Sequence, residues 1–113
     1  MTKVKIVKRN NDIVEVIADG HTGYGASGED IVCSALSSVV QTCALGLLGV
    51  AKVNAKIVRD DKLGYIKISL PRELSKEQRH DCNLILNTML IGISDLHEGY
   101  SDFIELEVLN DVY

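Results

Sequence analysis

The chain has no tryptophan, one proline and one phenylalanine among its 113 residues. With so little proline and no Ser/Gly/Pro-rich tract, there is no evident linker or disordered arm, and no internal repeat is present. The size fits one domain with a single two-layer core, and a single domain is expected over residues 1–113. Basic charge is also scarce: twelve Lys and Arg stand scattered among sixteen Asp and Glu, for a net charge of −4. Binding phosphates takes clustered cations, so a direct nucleic-acid partner is not expected. Long hydrophobic runs are missing too. The longest strongly apolar stretch, Cys43 to Ala51, contains two glycines and falls well short of the ~20 residues of a membrane helix. The start, MTKVKIVKRN, alternates where a signal peptide would carry an apolar block. No membrane partner is expected, and a cytoplasmic location is.

Three cysteines, Cys33, Cys43 and Cys82, are an odd number in a chain without an export signal, so reduced thiols are the default. Were Cys33 and Cys43 on one helix, they would lie about 15 Å apart along its axis, beyond disulfide reach. There is no C-x-x-C and no His/Cys cluster with zinc-ligand spacing. No metal and no other cofactor is called for.

Lys3 to Lys8 and Asp12 to Ala18 alternate apolar with polar residues around the turn pair Asn10-Asn11, which predicts an antiparallel hairpin. Ile31, Ala35, Val39, Cys43 and Leu47 recur at helical spacing, with Ser34, Ser38, Gln41 and Thr42 on the other side, and the helix is expected to end near Gly49. Val53 to Arg59 and Tyr65 to Leu70 read as a second hairpin stopped by Pro71. Ser75-Lys76-Glu77-Gln78 is a capping box opening a helix with the stripe Cys82, Ile85, Met89, Ile93 and Leu96, and Phe103 to Leu109 is a last strand. The order ββαββαβ predicts an α+β two-layer sandwich: a largely antiparallel sheet with both helices packed on one face.

Between the second strand and the first helix runs GHTGYGASGEDIVC, which contains the pattern G-x-G-x-x-G at Gly23, Gly25 and Gly28. A dinucleotide fingerprint also needs an acid about 20 residues on to hold the ribose, and the chain there is Leu47-Leu48-Gly49-Val50-Ala51. Nucleotide binding is therefore not supported. Glycines do supply backbone freedom, either for a tight connection requiring positive φ or for a loop that gates a substrate, here Gly20, Gly23, Gly25 and Gly28. Tyr24 is either a gate or an exposed aromatic.

Cys33 falls in the first turn or two of the helix, whether Ser27 or Asp30 is the N-cap. Unpaired N–H groups and the helix dipole there favour a thiolate and an oxyanion. His21, at the end of the second strand, is close enough in sequence for the loop to fold its imidazole back on the sulfur as base and later as acid. The plain alternative for Cys33 is a small core residue. Cys43 and Cys82, mid-stripe on their helices, keep that core reading, and His80 and His97 read as solvated residues near helix ends.

Gly20-His21 followed by Gly28-Glu29-Asp30-Ile31-Val32-Cys33-Ser34-Ala35-Leu36-Ser37 resembles the signature of the ribosomal-processing cysteine protease family. Thr22 departs from the small alanine common after the His. The resemblance implies a cytoplasmic, homodimeric endopeptidase. Its peptide substrate would be the N-terminal extension of large-subunit ribosomal protein twenty-seven, cut after an aromatic residue in an apolar stretch. His21 would be the base and Cys33 the nucleophile, with Asp30 and Ser37 in support. The alternative is a non-catalytic ribosome-associated binding module of the same fold.

Overall fold

A computed structural model describes residues 1–20 and 31–110. Its elements run β1 (Thr2–Arg9), β2 (Asp12–Asp19), α1 (Ile31–Gly49), β3 (Lys56–Asp60), β4 (Tyr65–Ser69), α2 (Lys76–Gly99) and β5 (Ile104–Asn110). The order is the expected ββαββαβ, and the five-stranded sheet has the strand sequence β3-β4-β2-β1-β5. Among the described residues only β5 pairs in parallel, against β1; the other pairings are antiparallel. Strand β5 follows α2, and a helical crossover is what a parallel pairing requires.

Period-two patterning builds the sheet. On β1, Thr2, Val4 and Ile6 are buried while Lys3 and Lys5 are exposed. Asn10 and Asn11 take φ of 52° and 68°, the pair of positive values that lets a two-residue turn follow the strand twist. Ile13 and Val16, an odd number of positions apart, are nevertheless both buried. The cause is a register shift between Val7 and Lys8: Val7 faces Glu15 and Lys8 faces Ile13, so Val14 is the extra residue. Cross-strand rows then align: Arg59 faces Ile66, Ile66 faces Ala18, Ala18 faces Val4 and Val4 faces Leu106. Arg59 thus occupies a row whose other members pack in or against the core.

The core face of α1 differs from the expected stripe. The buried residues are Val32, Leu36, Val40, Cys43, Ala44 and Leu47, and Ile31 is 59% exposed. Two apolar ladders one position apart compete in this helix; Leu36 with two valines gives a bulkier face than Ala35 with Ile31 and Val39, and burying larger side chains removes more apolar area from water. Helix α1 as a whole is long and apolar enough to cross a membrane, which the shorter stretch from Cys43 did not suggest; here this buried ladder belongs to the hydrophobic core.

Helix α2 starts as expected: Gln78 N–H donates to Ser75 Oγ at 3.1 Å, and Ser75 N–H donates to Gln78 Oε1 at 3.0 Å. Its buried residues are Cys82, Leu86, Met89 and Ile93, with Ile85 and Leu96 partly buried. Strand β3 begins at Lys56, later than Val53. Val53 N–H is used by Leu47 O at 2.9 Å and Ala55 N–H by Val53 O at 2.9 Å, so this segment caps α1 instead of extending the ladder.

Candidate active site

Cys33 lies near the N-terminal end of α1, where the helix dipole favours negative charge. Four-residue spacing puts Cys33, Ser37 and Gln41 on one line of the helix. All three open into a cleft of about 140 Å³ between α1 and the ends of β2, β3 and β4. Leu36, Val40, Ala18 and Ile66 give it apolar walls, and Arg59, Asp61 and Tyr65 stand on the β3–β4 side. Apolar walls with a few polar groups beside a thiol suit an extended peptide with one apolar side chain seated in the cleft.

Gly20 borders the same cleft. Its φ is +98°, and a Cβ built there would meet Met1 O at 3.0 Å, so both conformation and space require glycine. Its N–H donates to Gly64 O at 3.0 Å, and its carbonyl accepts from Thr2 Oγ1 at 2.9 Å. The point where the chain leaves β2 toward residue 21 is therefore held from two sides.

The polar wall is a chain of hydrogen bonds. Arg59 Nε and Nη2 donate to Asp61 Oδ1 at 3.2 and 2.9 Å. Arg59 Nη1 donates to Gln41 Oε1 at 3.3 Å, and Gln41 Nε2 donates to Ser37 Oγ at 2.6 Å. Gln41, read from the sequence as part of the polar back of α1, instead faces the cleft. The i, i+4, i+8 series Cys33, Ser37, Gln41 was the signal for it. Thr2, Arg59 and Asp61 were missed because strand pairing and a turn bring them in from distant parts of the chain.

None of the three cysteines is in a disulfide. Cys43 and Cys82 are buried in the core, as expected. Burial pushes the Cys43 thiol up from 9.0 to about 12, with the neighbouring Cys82 acting in the same direction. Burial also raises Cys82, with Arg79 opposing and Asp81 adding to the rise. Both thiols are held neutral and cannot serve as nucleophiles near pH 7. Among the described residues no cluster of metal-ligating side chains occurs. His80 is exposed beside Asp81, 3.4 Å away. Of the expected site residues, Cys33, Ser37 and Gly20 meet in one cleft. His21, Gly23, Tyr24, Gly25, Gly28 and Asp30, with the alternative cap Ser27, lie outside the described residues.

Residues 1–105 match the family described as cysteine protease Prp. The chain belongs to that family. It is a cysteine protease, and the inert-module reading is set aside. The ribosomal processing cysteine protease Prp of Staphylococcus aureus is 32% identical over 101 residues, which cover 88% of this chain and 91% of that protein. The Bacillus subtilis Prp is 22% identical over 98 residues, 85% of this chain and 88% of that one. The crystal structure of the essential S. aureus Prp with a covalently linked product peptide superposes with a TM-score of 0.85 at 29% identity, over 96% of this chain and 99% of that one. A Streptococcus mutans protein of known crystal structure gives a TM-score of 0.86 at 26% identity, over 98% and 96% of the two chains.

Proposed function

We propose that this member of the family removes the short N-terminal extension of large-subunit ribosomal protein twenty-seven, with Cys33 as nucleophile and His21 as general base. The observation that carries the reading is the position of Cys33: a thiol near the N-terminal end of a helix, opening into an apolar cleft beside the held end of β2. In the first step His21 takes the thiol proton as Cys33 Sγ bonds to the scissile carbonyl carbon, and the carbonyl π pair moves onto oxygen. The N-terminal end of α1 favours that oxyanion. When the carbonyl re-forms, the C–N bond breaks and His21 returns its proton to the leaving amine. Water, deprotonated by His21, then splits the thioester, releasing the carboxylate and restoring the thiol. Asp30 and Ser37 support the reaction, and Gly23, Gly25 and Gly28 belong to a segment that leaves the anchored Gly20 and admits and covers the substrate.

Incubation with a peptide spanning the extension junction, followed by mass spectrometry, tests the reading. One cut after an aromatic residue, abolished by Cys33→Ser, is the expected result. A peptide left intact by the wild-type protein rejects this substrate.

The proposal extends to a cytoplasmic homodimer. Leu84, Thr88 and Ile91 share one exposed face of α2, Ser38, Thr42 and Leu45 recur at the same spacing on α1, and an apolar groove of about 640 Å³ runs between the helices. Ile91 is 72% and Leu45 69% exposed. Contiguous apolar surface of this kind favours a protein partner, and the occupant proposed is a second copy of this chain.

A further inference from the structure

We infer that Gln41 and Arg59 are positioning residues that hold the Ser37 hydroxyl as a hydrogen-bond donor toward the substrate carbonyl attacked by Cys33; this rests on the protease reading above. The polarity of the chain is set by its ends. A carboxylate such as Asp61 only accepts, and a guanidinium only donates, so the end of the Gln41 amide that Arg59 meets at 3.3 Å must be the oxygen. The other end, 2.6 Å from Ser37 Oγ, must then be the NH2 group and must donate. A hydroxyl that accepts from Gln41 turns its own proton away from it, and Ser37 and Cys33 line the same cleft one helical turn apart.

The fold explains why these residues meet. Arg59 stands opposite Ile66 on the row that continues through Ala18 and Val4, and from there it reaches Gln41 of α1. Asp61, in the turn that follows β3, takes two of its donors. Without Asp61 and Gln41 the long side chain would be free to point into solvent. Without Arg59 the Gln41 amide could rotate by half a turn and present oxygen to Ser37. The hydroxyl would then donate back to Gln41, and its proton would be lost to the substrate. An oriented donor costs no rearrangement at the moment negative charge appears on the carbonyl oxygen, which is why a relay remote from sulfur still bears on the rate.

A double-mutant cycle on Ser37→Ala and Gln41→Met tests this, with turnover of both the extension-junction peptide and a p-nitrophenyl ester. Each single variant is expected to lower kcat about tenfold with KM changed less than about twofold, and the double variant to be no slower than Ser37→Ala alone. Arg59→Met should behave as Gln41→Met does, while Arg59→Lys, which keeps a donor, should recover most of kcat. Alkylation of Cys33 by iodoacetamide should keep its wild-type rate throughout, since the relay acts on the substrate oxygen and not on the thiol. The inference is overturned if Gln41→Met leaves kcat unchanged in a folded protein, if its effect repeats in full in the Ser37→Ala background, or if alkylation slows in step with turnover. A peptide left uncut while the ester is turned over rejects the substrate assignment alone, and the cycle is then read on the ester.

Discussion

The Thr2 hydroxyl donates to the carbonyl oxygen of Gly20 across 2.9 Å, tying the first strand to the last described residue before His21. Thr2 is the single buried polar residue among those described, and its own N–H donates to Phe103 O at 2.9 Å. One residue thus links the outgoing end of β2, through its hydroxyl, to the segment entering β5, through its backbone N–H.

Replacing Gly20 with alanine forces a Cβ to within 3.0 Å of Met1 O at a φ of +98°. A residue held in such a region costs roughly 1–3 kcal/mol. Thr2→Val removes one hydrogen bond and leaves the Gly20 carbonyl unmatched, at about 1 kcal/mol. Thermal melts should show both losses, with Gly20→Ala the larger. Peptide turnover should fall further than stability accounts for, because the chain leaving Gly20 carries His21. A Gly20→Ala protein with wild-type melting and turnover would falsify the view that this strand end is fixed by need.

The three cysteines should separate cleanly by experiment. Cys33→Ser should abolish turnover and keep the fold, since an alcohol of similar size lacks a thiolate's nucleophilicity. Cys43→Ser buries a hydroxyl in the core and should cost roughly 1–3 kcal/mol in urea denaturation while sparing activity in the folded fraction. Full turnover by Cys33→Ser, or lost turnover in a stably folded Cys43→Ser protein, contradicts the assignment.

Charge placed on the exposed helix face should break the proposed homodimer. Leu84→Glu with Ile91→Glu puts two carboxylates where apolar surface would be desolvated, and a buried unpaired charge is strongly disfavoured. Sedimentation should report a dimer for the wild-type chain and a monomer for the variant. A variant that stays dimeric rejects this face, and a monomeric wild-type chain rejects the assembly.

The element order was legible because strands and helices here carry clean periods: Val4 and Ile6 against Lys3 and Lys5, or the Ser75 to Gln78 box, need no tertiary information. The buried face of α1 was not, because a helix apolar on most sides offers two nearly equivalent ladders, and only the sheet selects Val32, Leu36 and Val40. Val53 to Ala55 alternate like a strand but cap a helix. Within the cleft, Cys33 was visible as local pattern at a helix start, and Ser37 only through the resemblance to the protease family. Arg59 and Asp61 were invisible for the opposite reason: a charged residue on an edge strand and another in a turn look like solvated surface until β3 is laid beside β4 and α1 above them.

Alkaline pH should expose the buried thiol pair. Burial holds the folded-state pKa of Cys43 at about 12, against 9.0 for an ordinary thiol, and raises Cys82 as well. Above pH 9 the unfolded chain gives up the Cys43 proton and the folded chain keeps it, so the folded state binds more protons and stability falls as pH rises. The contribution is complete below 9.0 and is lost progressively up to about 12. Lysines and tyrosines titrate in the same range, so the measurement is a difference: urea unfolding of wild type and Cys43→Ala at several values between about pH 8 and 11. The wild-type chain should lose stability faster, by up to about 1.4 kcal/mol per pH unit once the unfolded thiol is fully ionised. Cys43→Ala, less stable at pH 8 because of the cavity it leaves, should therefore close the gap as pH climbs. A gap that stays constant to pH 11 would mean that Cys43 ionises alike in both states, and that its burial does not hold the proton.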